Sequence, residues 1–153
     1  MQVNDLEYQC WHEVGHAIAC MLSKGQVLSI ELSNNKNNPY LAKASCKTPE
    51  RDMKLCTSSG GFAIEYALFT SNRINISKKE FLIEAKKNCS YDKIKFCKDE
   101  SLTEVQCEQE FIDYAKDLSK DFLLIMDKLE KIVIKLMEKR KLTGNEIMNI
   151  FNS

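Results

Sequence analysis

Both histidines of this chain, His12 and His16, lie four residues apart in the stretch CWHEVGHAIA, which spans residues 10–19. Residues four apart stack on one face of an α-helix, so a helix here would bring both imidazole rings to one point. Apolar residues recur at helical spacing around the pair, at Leu6, Cys10, Val14, Ala17 and Met21. The sequence therefore predicts a helix that begins at the cap Asn4, with Glu7 completing a capping box, and stops near Gly25.

A small antiparallel sheet is predicted after this helix. The heptapeptide QVLSIEL, residues 26–32, alternates between two faces, one of them apolar, as a half-buried strand does. The stretch SNNKNNP, residues 33–39, has the composition of a turn. YLAKASC, residues 40–46, is the candidate partner strand.

Residues 52–70, DMKLCTSSGGFAIEYALFT, have the apolar character of a buried helix, with Pro49 near its first position. Gly60 and Gly61 lie in the middle, where each glycine costs about 1 kcal/mol relative to alanine. Two adjacent glycines indicate that another part of the chain packs very close to this backbone. We expect that neighbour to be the helix that carries His12 and His16.

The second half of the chain is predicted to be helical. Capping boxes mark three helix starts, at Ser77–Glu80, Ser101–Glu104 and Thr143–Glu146. The segment 101–141 is too long for one typical helix, so two are expected, parting near Leu118 to Lys120. Residues 1–153 are therefore expected to form a single domain that is mainly α, with a small antiparallel β-sheet.

Charge and hydropathy exclude several classes of protein. Lys plus Arg number 22 and Asp plus Glu number 22, so the chain lacks the basic excess typical of nucleic-acid-binding proteins. No apolar run approaches the roughly 20 residues that span a bilayer, and the N-terminal stretch MQVNDLEYQ lacks the features of a signal peptide. We expect a cytoplasmic protein that has no membrane span and binds no nucleic acid.

Cysteine is frequent, with seven residues in 153, but the number is odd and no CxxC pair occurs. A structural zinc knuckle therefore has little support. In a reducing compartment we expect most of these cysteines to be buried thiols.

His12 and His16 enclose Glu13 in the pattern H-E-x-x-H, which on a helix can bind a metal ion. The histidines would be ligands of Zn²⁺, and Glu13 would take a proton from a water on that ion. The alternative is an ordinary helix with hydrogen-bonded histidines. Two facts count against it: both histidines belong to one pattern, and the helix-disfavouring Gly15 precedes His16. Since no histidine remains, a third ligand must be Asp, Glu or Cys.

Three separated stretches resemble the protease domain of the FtsH-type, membrane-anchored AAA+ zinc proteases. HEVGHAIA, residues 12–19, resembles the HEAGHA signature of that family. GGFAIEYALF, residues 60–69, is similar to its G-G-R-x-A-E-E-L-x-F-G helix, and KLTGNEIMNI, residues 141–150, to its K-x-L-T-G-x-E-I turn. The stretches come in the order of the family and span nearly the whole chain. The resemblance implies a zinc metalloendopeptidase with His12 and His16 as ligands and Glu13 as the general base.

The same resemblance suggests two more site residues. The family takes its third zinc ligand from an A-S-N-D stretch that begins a helix, and CSYDKIKF matches it at Ser90 and Asp92, with Tyr91 in place of asparagine. Asp92 is therefore the expected third ligand. Glu65 matches the first glutamate of the G-G helix. It is expected either to hold the outer nitrogen of a zinc-binding histidine or to be a buried structural carboxylate.

The chain departs from the family in having no ATPase motif GxxxxGK[ST] and no transmembrane anchor. We therefore expect a soluble, ATP-independent zinc endopeptidase that acts on unfolded or flexible polypeptides, or that works with a separate ATPase or regulatory partner. Residues 27–32 would form an edge strand beside the site to which a substrate could add. The alternatives are a non-catalytic metal-binding interaction module and a site-specific protease of one regulatory protein.

Overall fold

The computed structural model describes residues 1–33, 37, 42–98 and 102–153. In this part of the chain the elements are α1 (Leu6–Leu22), β1 (Gln26–Leu32), β2 (Ala42–Lys47), α2 (Arg51–Thr70), α3 (Lys78–Asn88), α4 (Ser90–Cys97), α5 (Glu104–Leu124), α6 (Met126–Lys139), β3 (Lys141–Thr143) and α7 (Gly144–Asn152). The predicted class, mainly helical with a small antiparallel sheet, is confirmed. Most of the predicted turn 33–39, the first two residues of YLAKASC and the predicted cap Ser101 lie outside the described residues.

The sheet has the strand order β2-β1-β3, and both pairings are antiparallel. The expectation that residues 27–32 form an edge strand is therefore wrong, because β1 is the central strand. The short strand β3 pairs with it through Ser29 and Thr143, Ile30 and Leu142, and Glu31 and Lys141. The chain reaches this position because Arg140, at φ 65°, ends α6 with a left-handed turn. The edge strands are β2 and β3, and β2 is the one that lines the cleft.

The helices α1 and α2 cross at a point where each helix contributes a glycine to the contact. A Cβ added to Gly15 would lie against the Gly60 carbonyl oxygen and 2.5 Å from Ile64 Cγ2. A Cβ added to Gly60 would meet the Gly15 carbonyl oxygen and lie 2.8 Å from Ala19 Cβ. The two backbones are therefore in direct contact at this crossing, which leaves no room for a side chain on either glycine.

The first helix begins one residue later than predicted. The Asp5 side chain accepts a hydrogen bond from the Tyr8 backbone N–H at 2.8 Å, and Asp5 rather than Asn4 is the N-cap. Asn4 has φ 66°, so its backbone turns into the helix from the left-handed region. The predicted caps Ser77 and Thr143 do accept from backbone N–H groups at the starts of α3 and α7.

The long helical segment also divides elsewhere than predicted. Its first helix, α5, begins with a capping box of Thr103 and Gln106 and continues past Leu118 to a break at Ile125. Leu118 and Phe122 are both buried and lie four residues apart, so the apolar face of α5 runs through the predicted break. This face packs on α2.

A disulfide joins Cys97, at the end of α4, to Cys107 in α5. The irregular cysteine spacing did not predict this bond. The other cysteines are free thiols, of which Cys46 is half-buried and Cys10, Cys20, Cys56 and Cys89 are buried. Among the described residues, no helix has both the length and the apolar character needed to cross a membrane.

Candidate metal centre

The structure brings together His12, His16 and Asp92, from two helices that are distant in sequence. The two Nε2 atoms of the histidines on α1 lie 3.0 Å apart. The Oδ2 atom of Asp92, on α4, lies 3.1 Å from His12 Nε2 and 3.2 Å from His16 Nε2. All three residues are buried, with 4%, 9% and 9% of their surfaces exposed. Ligands of a tetrahedral zinc at 2.0–2.1 Å are about 3.3 Å apart, so this triangle has nearly the dimensions of three zinc ligands.

The hydrogen bonds of the two Nδ1 atoms determine whether the Nε2 atoms, which form part of this triangle, carry a hydrogen or a lone pair. His16 Nδ1 lies 2.6 Å from the Thr57 carbonyl oxygen, which can only accept, so Nδ1 carries the hydrogen. His12 Nδ1 likewise donates to the Glu65 carboxylate at 2.9 Å. In neutral rings both Nε2 atoms therefore carry lone pairs, and these face Asp92 Oδ2, a buried oxygen without a hydrogen-bond donor.

Three acceptors that converge in a buried site need a cation or protons between them. Two imidazole nitrogens and one carboxylate oxygen, with a fourth position left for water, form a donor set that catalytic zinc uses. The residues thus fit Zn²⁺ in ligand type, tautomer and spacing.

The electrostatics of the site favour positive charge. Burial disfavours the imidazolium form of His12, but Asp92, Cys89 and Glu65, to which the protonated ring could hydrogen-bond, raise its pKa well above the usual value. At His16 burial is likewise outweighed by the charge of Asp92, which raises the pKa. Burial opposes ionisation of Asp92, yet the neighbouring His16 and His12 lower its pKa. Protons and a metal ion would therefore compete for the same place.

Glu65 lies behind His12 and is fully buried in α2. Its Oε1 accepts from His12 Nδ1 and from Asn88 Nδ2, and its Oε2 accepts from the Cys89 thiol at 3.5 Å. Such a partner fixes the ring orientation and tautomer of a metal-binding histidine. Its hydrogen bond to His12 Nδ1 is the contact that the first of the two expected roles requires, and its complete burial is what the second requires.

Asn88 and Cys89 were not singled out in the sequence, although Cys89 is the first residue of the stretch CSYDKIKF, which contains Asp92, and Asn88 directly precedes it. His12, Glu65 and Cys89 also form a group close enough to hold a metal ion. Burial and the charge of Glu65 raise the pKa of the Cys89 thiol well above its usual value, so the thiol keeps its proton. Because Glu65 accepts hydrogen bonds from both His12 Nδ1 and the Cys89 thiol, we describe this group as the support of His12.

Glu13 lies between the histidines and the sheet. Its Oε2 accepts a hydrogen bond from the backbone N–H of Ala44, in the edge strand β2, at 2.7 Å. The carboxylate is half-buried, and its oxygen lies within 4.8 Å of ligand atoms of His12 and His16. The sequence predicted the proximity of Glu13 to the histidines but gave no signal for its contact with β2.

Gly61 faces the site from α2. A Cβ added there would lie 2.6 Å from His12 Nε2 and 2.7 Å from His16 Nε2. The two adjacent glycines thus have different neighbours: Gly60 contacts the backbone of α1, and Gly61 contacts the imidazole rings.

A cleft of about 1040 Å³ opens above these residues. Its floor is α1, with Glu13 and both histidines. One wall is formed by β2, and the other by α2 and α4. The cleft is large enough for several residues of an extended polypeptide.

Comparison of the chain with models of protein families and with curated proteins gives no match. Fold and site together define a mainly helical protein with a buried site of two histidines and one carboxylate at the bottom of an open cleft. What this site does is inferred from its own side chains.

Proposed function

We propose that this protein is a zinc-dependent endopeptidase that uses Glu13 as its general base. The observation that carries the proposal is the convergence of His12 Nε2, His16 Nε2 and Asp92 Oδ2, three acceptors without a donor, beside a carboxylate that faces a cleft. These three residues would hold the metal. A bound Zn²⁺ would supply the Lewis acid that polarises the substrate carbonyl and acidifies water.

The protein's own groups prepare the two imidazoles for this role. Thr57 and Glu65 keep the hydrogens on the Nδ1 atoms, so both Nε2 lone pairs remain directed into the site. The negative charge of Glu65 also makes His12 a stronger electron donor. Burial of the triangle excludes bulk water and thereby strengthens each of these interactions.

Glu13 is the group that would move protons. Its carboxylate takes a proton from the attacking water and passes it to the leaving amine, which is general base and then general acid catalysis. In the structure one of its oxygens is held by the N–H of Ala44. A substrate carbonyl that binds to this N–H would replace Glu13 there and free the carboxylate for the reaction.

The edge strand β2 would align the substrate. Main-chain groups alternate in direction along a strand, so those of Ala42 and Cys46 point to the same side as the Ala44 N–H, away from β1. An extended peptide can pair with this edge by strand addition. Folded substrates do not offer such a segment, so flexible polypeptides are the expected substrates.

The resemblance to the protease domain of FtsH-type enzymes supports the same function. It covers the H-E-x-x-H stretch, the glycine pair, Glu65, Asp92 and the closing turn at residues 141–150. The sequence contains no GxxxxGK[ST] motif, so hydrolysis by this chain alone is expected to be indifferent to ATP.

The test is the Glu13→Gln variant with zinc present. The amide cannot accept a proton, so hydrolysis of casein or of an unstructured peptide library should be abolished while zinc content and melting temperature stay near those of the wild type. Glu110→Gln, an exposed change on α5, is the matched control and should keep full activity. Proteolysis by a clean Glu13→Gln preparation would contradict the mechanism. Zinc binding without hydrolysis in the wild type would favour a non-catalytic metal-binding module.

A further inference from the structure

The cleft above the candidate metal centre is bordered by lysines from three different elements. Lys43 lies on β2, Lys54 on α2 and Lys95 on α4, and all three are exposed. They therefore surround the space that a substrate would occupy.

Among the described residues, no acidic side chain lies within ion-pair distance of these three lysines, although Glu31 is the residue directly opposite Lys43 in the pairing of β1 with β2. Some lysines elsewhere do have an acidic partner: Lys93 lies 3.8 Å from Glu108, and Lys139 lies 2.8 Å from Glu146. The acidic residues that line the cleft are engaged in other ways. Glu13 binds the Ala44 N–H, Asp92 faces the histidines, and Glu31 lies 3.8 Å from Lys141. The chain as a whole carries equal numbers of basic and acidic residues, so the three lysines at the border of the cleft do not reflect a basic excess of the whole chain.

We infer that the cleft selects acidic segments, binding an extended polypeptide along β2 with its Asp or Glu side chains directed at Lys43, Lys54 and Lys95. The inference rests on the proposed function for the site and adds the class of substrate. An edge strand that donates main-chain hydrogen bonds favours a peptide over a nucleic acid as the anion. The contribution of the lysines is a short-range attraction for carboxylates, which weakens as salt screens the charges.

The test compares two labelled flexible peptides of equal length with the same central Ala and Leu residues. One has Asp on both sides of the centre and the other has Asn. Binding is measured by fluorescence anisotropy on the zinc-loaded Glu13→Gln protein, which does not depend on turnover, and cleavage is measured on the zinc-loaded wild type. Exposed ion pairs contribute about 1.4- to five-fold in affinity each, so three of them should make the Asp peptide bind about three-fold or more tightly. The difference should shrink as salt screens the charges.

The lysines are tested with the triple variant Lys43→Gln, Lys54→Gln, Lys95→Gln. It should lose most of the preference for the Asp peptide. The control triple Lys78→Gln, Lys120→Gln, Lys131→Gln changes the net charge equally, away from the cleft, and should keep the preference.

Different outcomes separate this inference from the proposed function. Equal binding and cleavage of both peptides would overturn the acidic selectivity and leave the peptidase standing. A preference that survives the cleft substitutions would overturn it too, because the carboxylates would then bind elsewhere, for example directly to zinc. A single-stranded oligonucleotide that competes as well as the Asp peptide would show a general polyanion site and overturn it. Lysine-dependent preference without any cleavage would support the inference and count against the enzymatic function.

Discussion

At the scale of single residues, the most informative atom is Asp92 Oδ2. It is buried, it faces two nitrogen lone pairs, and it has no donor of its own. A buried charge without compensation is costly, so an arrangement of this kind is stable only when a positive charge lies among the three groups. The carboxylate of Glu65 differs from that of Asp92 because it already accepts hydrogen bonds from protein groups.

The change Asp92→Asn removes this charge at almost constant volume. We expect zinc affinity, measured by competition with a chromophoric chelator, to fall by more than the 10–100-fold that changes in outer partners of metal ligands typically cost. Glu65→Gln should remain within that range, because it weakens only the support of His12. Asp121→Asn, an exposed change on α5, should have no effect. Wild-type affinity in Asp92→Asn would mean that the third ligand is another residue.

At the scale of elements, the crossing of α1 and α2 brings the histidines, Glu65 and both glycines into one place. This close approach is possible because glycine occurs on both helices at the contact, Gly15 on α1 and Gly60 on α2. The propensity cost of these glycines, about 1 kcal/mol each, is offset by the close packing that they permit.

The glycine pair predicts two different mutant phenotypes. Gly60→Ala forces the two backbones apart and should lower the free energy of unfolding by about 1–3 kcal/mol, even after the gain in helix propensity. Gly61→Ala pushes against the Nε2 atoms of His12 and His16, so its main effect should be a loss of zinc affinity. Urea melts of the metal-free proteins and zinc titrations distinguish the two. Equal phenotypes would show that the glycines do not have separate neighbours in solution.

The position of α4, which carries Asp92, also depends on the disulfide between Cys97 and Cys107. It closes a loop with a sequence separation of 10 residues. The chain-entropy argument gives about 2–3 kcal/mol for a loop of this size. Reduction should therefore lower the melting temperature of the wild type and weaken zinc binding. The double variant Cys97→Ala, Cys107→Ala should be insensitive to reductant, and an equal response of both proteins would rule out this bond as the cause.

At the scale of the whole molecule, the metal would connect segments far apart in sequence, since His12 and Asp92 lie on helices separated by two strands and two further helices. A ligand that binds only the folded state stabilises it in proportion to the logarithm of its concentration. Stability and metal content should therefore be coupled.

Zinc at 100 times its dissociation constant should raise the free energy of unfolding by about 2.7 kcal/mol. A chelator should remove this increment, and zinc added in excess of the chelator should restore it. The Asp92→Asn variant is the control, because its melting temperature should change little with either addition. A wild-type melting temperature that is independent of zinc would contradict the metal centre itself.

Local patterns in the sequence determined the helical class of the protein and the position of the candidate site on its first helix. Interactions between residues close in sequence can be inferred without a structure. They include the spacing of His12 and His16, the apolar period of α1 and the caps at Ser77 and Thr143. Where two local signals compete, the outcome depends on packing. Asp5 replaced Asn4 as a cap, and the buried Leu118 kept α5 helical through the expected break.

The tertiary structure alone decided the pairings between distant segments. The strand β3 is only three residues long, too short for a period of its own, and it becomes a strand because it lies against β1. That pairing makes β1 the central strand, and on the other side of β1 the edge strand β2 donates a hydrogen bond from Ala44 to Glu13. The same is true of the Cys97–Cys107 bond, the support of Glu65 by Asn88 and Cys89, and the lysines around the cleft. Each depends on which faces of separate elements meet, and this is set by the packing of the whole core rather than by neighbouring residues in the chain.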